Sequence, residues 1–178
     1  GLGDVYKRQE LGVSTFPVKS KEYNPEEYHK GATWSHMLAF LSYLQFKVGR
    51  VEKGLQNLRK IYNKINSFVL SSIPEVWNSE NGEIVVKKPF GKEESSFFQL
   101  WSAASIIKAI DEGLLGLDYN ALTKTIRVSP KIEGKFRRRI RIGEDLVTLD
   151  IEFRENKLNV SYESKLGKGY KIVGLGEI

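Results

Sequence analysis

The residues best suited to chemistry lie in two short stretches. The first, "YHKGATW" from Tyr28 to Trp34, gathers Tyr28, His29, Gly31 and Trp34 at the start of an apolar run. It combines aromatic faces and hydrogen-bonding edges with a glycine that lets backbone approach closely. The second, "SIPEVW", places Glu75 straight after Pro74 and just before Val76 and Trp77. A carboxylate aimed by a loop into a pocket can act as a general acid or base. On residue type alone Glu75 reads better as a solvated loop charge or a helix-cap partner. Trp34 likewise fits helix packing, His29 a loop hydrogen-bonder and Gly31 a turn. Gln99, at the entrance to a later apolar run, offers an amide that could reach a ligand hydroxyl. His36, one turn into the first apolar run, reads as a satisfied core histidine.

Composition removes other chemistries. There is no cysteine and there are two histidines, so disulfide scaffolds, thiolate catalysis, thiolate zinc sites and an all-histidine metal site are not expected. No organic cofactor is called for either. The net charge of +6 invites a nucleic-acid reading, most strongly at "KFRRRIRI", Lys135 to Ile142. Parity argues against it. Phe136, Arg138, Ile140 and Ile142 share one side of an extended chain, while Arg137, Arg139 and Arg141 take the other, as a half-buried strand requires. No apolar run approaches the roughly 20 residues that cross a bilayer, and the start lacks the order of a signal peptide, so no membrane is expected and the cytoplasm is the default compartment.

These residues need elements to position them. Trp34 to Val48 is apolar over too wide a face for a surface helix and is expected to be buried between neighbours. Gly49 should end it, and Val51 to Phe68 resumes a helical pattern, giving a tight hairpin. A long excursion follows, broken by Pro74, Gly82, Pro89 and Gly91, with Glu93 and Glu94 in a charged turn. A third helix is expected from about Ser96 to Glu112, with Trp101 in its apolar stripe. After Gly116 the chain turns to short alternating stretches that read as antiparallel strands, with a hairpin turn in "FRENK", Phe153 to Lys157. At 178 residues and 40% hydrophobic the chain can bury one good core or two small ones.

Taken in order, these motifs resemble the C-terminal end of (α/α)6-barrel glycoside hydrolases, nearest the amylo-α-1,6-glucosidase or glycogen-debranching type. The Tyr-His-x-Gly-x-x-Trp motif stands as "YHKGATW", the Pro-Glu as Pro74 and Glu75, the Gln-x-Trp-Ser as "QLWS" from Gln99, and the closing β segment as "LLGLDYNALTKTIRVSP". The resemblance spans Tyr28 to about Phe153. Ser35 stands where the family often has proline, and "ESSFF" where it has a cysteine-containing stretch.

The resemblance implies a mainly α fold with a C-terminal β segment: 10–116 as the last helices of a partial (α/α)6 barrel, and 117–178 as a small antiparallel sheet or sandwich. Residues 1–9 are set apart, because one codon choice for Asp4 to Gln9 reads as a sequencing adaptor. It also implies an inverting hydrolase of α-glucosidic bonds, with Glu75 as general base and Tyr28, His29, Trp34, Trp77 and Gln99 around an α-glucan or oligosaccharide. The general acid would lie upstream, in a missing N-terminal part of the same chain, leaving these residues inactive alone. The alternatives are a barrel glycosidase for mannosyl, rhamnosyl or trehalose-type sugars, and a non-catalytic carbohydrate-binding or accessory protein.

Overall fold

A computed structural model describes residues 8–9, 12–68, 71–85, 95–96 and 98–174. The chain divides into two compact units, one ending at Ala109 and one beginning at Ile110.

In the first unit, short strands β1 (Arg8–Gln9), β2 (Gly12–Val13) and β3 (Thr33–Trp34) precede helices α1 (Ser35–Lys47) and α2 (Val51–Ser67). Strand β4 (Val76–Trp77) and helix α3 (Leu100–Lys108) follow. The α1–α2 turn is a glycine stop. Gly49 takes φ 75°, its amide donates to the Phe46 carbonyl, and the Arg50 amide donates to Gln45, closing carbonyls that the helix leaves open. The hairpin packs tightly, with the Phe46 ring over Gly54 and a buried Asn57 amide donating to Gln45 Oε1 at 3.0 Å. Leu38, Ala39, Ile61 and Trp77 form the core.

Helix α1 is not buried all round. Met37, Phe40, Leu44 and Val48 are 42–68% exposed, because α2 and α3 cover only part of its circumference. Helix α3 is shorter than its apolar stripe suggests. Ser95 and Ser96 run beside Glu75 instead of joining the helix, since the Ser96 carbonyl accepts the Glu75 amide at 3.1 Å. Beyond Lys108 the helix loosens into a π-helical segment, Ala109–Leu114.

The second unit holds β5 (Asp118–Asn120), β6 (Thr125–Arg127), β7 (Gly134–Ile142), β8 (Asp145–Arg154), β9 (Lys157–Ser164) and β10 (Lys171–Val173). Strands β7, β8 and β9 form a meander, and Glu155 and Asn156, at φ 50° and 60°, make the expected hairpin turn within "FRENK". The alternation in β7 follows the parity of its sequence: Arg137, Arg139 and Arg141 are exposed. Arg138 faces inward and forms a two-point ion pair with Asp111, at 2.7 and 2.8 Å. Leu115, Leu117, Ile126, Val128, Val147, Leu149 and Ile151 share one core.

Two further expectations are corrected. The described residues are about 30% helical and 29% strand, so the chain is mixed α and β and not mainly α. The reason is local. Helix α3 loses its first turn to the pairing with Glu75, and the meander strands are longer than the isolated "FRRRIRI" and "LVTLDIEF" patterns imply. Among the described residues one helical hairpin and a third helix are present, without the ring of hairpins a partial barrel implies. Secondly, β10 runs parallel to β6, where antiparallel strands were expected throughout.

Candidate active site

The pairing of β3 with β4 builds the site. Trp34 stands opposite Val76, and beyond the strand ends the Ser35 amide donates to the Glu75 carbonyl at 3.0 Å. The Ser35 hydroxyl donates to the Pro74 carbonyl. Backbone pairing thus brings the segment after Pro74 against the "YHKGATW" motif.

Glu75 is 2% exposed. A buried carboxylate is costly unless donors meet it, and here they do. The Tyr28 hydroxyl donates to Oε1 at 2.5 Å and the Ser96 amide donates to Oε2 at 2.8 Å. The loop carrying Tyr28 is held by Asn24, whose backbone N–H donates to the Lys30 carbonyl at 2.9 Å. Gly31 makes that loop possible, since a Cβ there would lie 2.2 Å from the Asn24 carbonyl oxygen. The Tyr23 hydroxyl and Ser79 Oγ, 2.7 Å apart, tie the loop to the stretch after β4.

An aromatic cluster adjoins the carboxylate. The Tyr28 ring meets Trp34 at 4.2 Å and 64°, and the Trp34 indole N–H donates to the Tyr28 carbonyl at 2.8 Å. His29 stacks near Trp34 at 5.8 Å and 20°, and His36 meets the same indole edge-on at 5.2 Å. Burial pushes the His36 imidazole below its usual 6.5, against the opposing pull of the Glu75 charge, so it stays neutral at pH 7. Its Nδ1 is buried without a partner, unlike the satisfied core histidine the sequence suggested.

The structure brings Glu75, Tyr28, His29 and Trp34 together. His29 is exposed, Tyr28 half-buried and Trp34 6% exposed. Gln99 stands at the N-cap position of α3 without a side-chain capping bond, and its backbone N–H donates to the Ile73 carbonyl at 3.4 Å. Trp77 is fully buried against Leu38, Ala39 and Ile61 and does not reach the cluster's surface. Glu93 and Glu94 lie outside the described residues. Among those described, Glu75 is the one buried acidic residue of this unit, and no group of three or more metal-ligating side chains converges.

Two participants escaped sequence reasoning. Trp101, expected in the apolar stripe of its helix, is 53% exposed and leans on His36 at 5.3 Å and Trp34 at 6.4 Å. The signal was there: Ser102, Ser105 and Ala109 form a face of small residues at helical spacing, and these are the buried ones. Ser96 acts through its backbone, which side-chain type does not reveal.

Residues 13–108 match the profile of the family described as amylo-alpha-1,6-glucosidase, more than half of the chain. The chain belongs to that family. A comparison with curated proteins gives no match. The amylo-alpha-1,6-glucosidase match contains every member of the cluster, from Tyr28 to Trp101, and stops at the end of α3. It makes this first unit a region of a glycogen-debranching-type glycosidase.

Proposed function

We propose that this region supplies the general base of an inverting glycoside hydrolase acting on α-glucosidic bonds of an α-glucan or short oligosaccharide, and that the base is Glu75. The observation that carries the reading is a buried carboxylate, held by donors on both oxygens, at the edge of an aromatic cluster in a chain of this family. Hydrolysis with inversion needs one carboxylate to activate water and a second carboxyl group to protonate the leaving oxygen, about 6.5–9.5 Å away. The exposed rings of His29 and Trp101 offer flat faces of the kind that sugar rings pack on, and Gln99 offers an amide to their hydroxyls. The general acid comes from outside the described residues of this unit, where no second buried carboxyl group stands. Without it these residues do not turn over substrate alone.

The test is Glu75→Gln in the full-length chain. Turnover of an α-1,6-linked oligosaccharide should fall about 10²- to 10⁴-fold while the sugar still binds. Unchanged turnover would remove Glu75 from the mechanism.

A further inference from the structure

The Tyr28–Trp34 segment contains two residues whose polar atoms are already engaged. The Tyr28 hydroxyl is spent on Glu75 and the Trp34 N–H on the Tyr28 carbonyl. Trp34 is 6% exposed, with Tyr28, His29 and His36 against its ring. A sugar platform needs an open ring face, which Trp34 lacks. We propose that Tyr28 and Trp34 are positioning residues for Glu75, Tyr28 holding the carboxylate and Trp34 holding Tyr28. This rests on the reading of Glu75 as the base.

A base must keep one lone pair aimed at the attacking water. The terminal torsion of a glutamate is broad, so an unheld carboxylate rotates through many orientations. Here the two oxygens have different donors, Tyr28 on Oε1 and the Ser96 amide on Oε2, and that pair fixes the carboxylate plane. Each carboxylate oxygen can accept more than one hydrogen bond, which leaves capacity for water. Tyr28 is fixed in turn by its ring contact with Trp34 and by the indole N–H. Trp34 is paired through backbone with Val76, the residue next to Glu75. The carboxylate and its holder therefore hang from the same strand pairing, in a closed circuit from Glu75 through Val76, Trp34 and Tyr28 back to Glu75. Exposed His29 and Trp101 are left to face the ligand.

The test compares Tyr28→Phe and Trp34→Phe with Glu75→Gln in the full-length chain, measuring kcat, KM, sugar affinity by calorimetry and the thermal midpoint. Tyr28→Phe should lower kcat about 10- to 100-fold with KM and sugar affinity within about twofold, as expected when a reacting group is misaimed. Trp34→Phe should lower the same parameter by less, and the double variant should fall short of the product of the two, because both act through one contact. A rise in KM with unchanged kcat would make Tyr28 a sugar ligand and overturn the assignment. Unchanged kcat in both folded phenylalanine variants, with Glu75→Gln inactive, would overturn it while leaving the base in place. An active Glu75→Gln would remove the base and the positioning role together. Trp34→Phe decides the matter if Tyr28→Phe does not fold.

Discussion

Glu75 and Ser96 grip each other twice, the Glu75 amide donating to the Ser96 carbonyl at 3.1 Å and the Ser96 amide donating back to the Glu75 carboxylate at 2.8 Å. The carboxylate thus does structural work as well as any chemistry. Glu75→Ala should remove the acceptor that the Ser96 amide and the Tyr28 hydroxyl share, at about 1–3 kcal/mol for each bond lost. Glu75→Gln keeps an acceptor for one of them and should be the milder variant in urea unfolding. Equal losses would mean that water satisfies both donors.

Trp77 separates core from site. Its side chain is fully buried in the cluster with Leu38, Ala39 and Ile61, so Trp77→Ala should cost about 3–5 kcal/mol. Trp77→Phe should retain sugar affinity while lowering stability. A selective loss of affinity in a variant of unchanged stability would return Trp77 to the binding site.

In α2 two effects compete at Gly54. Alanine would gain about 1 kcal/mol of helix propensity. Its Cβ, however, would sit 2.4 Å from Phe46 Cε1, and Phe46 is fully buried. Overpacking of this kind costs about 1–3 kcal/mol, so Gly54→Ala should destabilise on balance. Combining it with Phe46→Leu should recover part of the loss, as read from denaturant midpoints.

The second unit should weaken in acid through Asp145. Burial works to raise this carboxyl, but hydrogen bonds from Ser164, the Leu166 amide, Tyr170 and the Leu146 amide outweigh it and hold it below the usual 3.8. A depressed carboxyl contributes stability above its unfolded value, and that contribution disappears as pH falls through the folded one. Thermal midpoints should therefore decline from about pH 4 downward, and Asp145→Asn should flatten that decline while lowering the midpoint at neutral pH. An acid decline that survives the substitution would place its origin elsewhere.

The arginine row of β7 should not bind nucleic acid. Arg137 forms a two-point pair with Asp150 at 2.6 and 2.9 Å, and Lys135 lies 3.1 Å from Glu152, so neighbouring carboxylates offset these two cations. Neutralising Arg137, Arg139 and Arg141 should leave DNA and RNA retention unchanged at physiological salt. Steeply salt-dependent binding lost in that variant would show the opposite.

What the sequence made legible follows from period and punctuation. The α1–α2 hairpin was readable because Gly49 interrupts two helical patterns, and β7 because alternation puts Arg138 on the apolar side, where Asp111 meets it. The start of α3 was not, because residues that could begin a helix are held extended by a carboxylate about twenty positions earlier. Tertiary pairing there outweighs local propensity. In the candidate site, Glu75 and the Tyr28–Trp34 motif could be singled out by type, yet their mutual geometry depends on the β3–β4 pairing, which two-residue strands do not announce. Trp101 was misjudged because an aromatic at helical spacing suggests a core, whereas the serines beside it let α3 approach its neighbour closely.

The parallel pairing of β10 with β6 sets an order of events for the second unit. Between these strands the chain makes β7, β8 and β9, so the edge that β6 offers cannot be filled until an entire meander has been synthesised. Closing such a distant pair is slow, since the entropy of the intervening loop is lost before any contact repays it. During translation β6 would wait with one edge open, beside a meander able to fold first by local contacts. Truncations that spare the meander but remove Lys171–Val173 should yield a protein that folds in part and associates edge to edge, which makes β10 the fastener of the unit and the guard against misassembly.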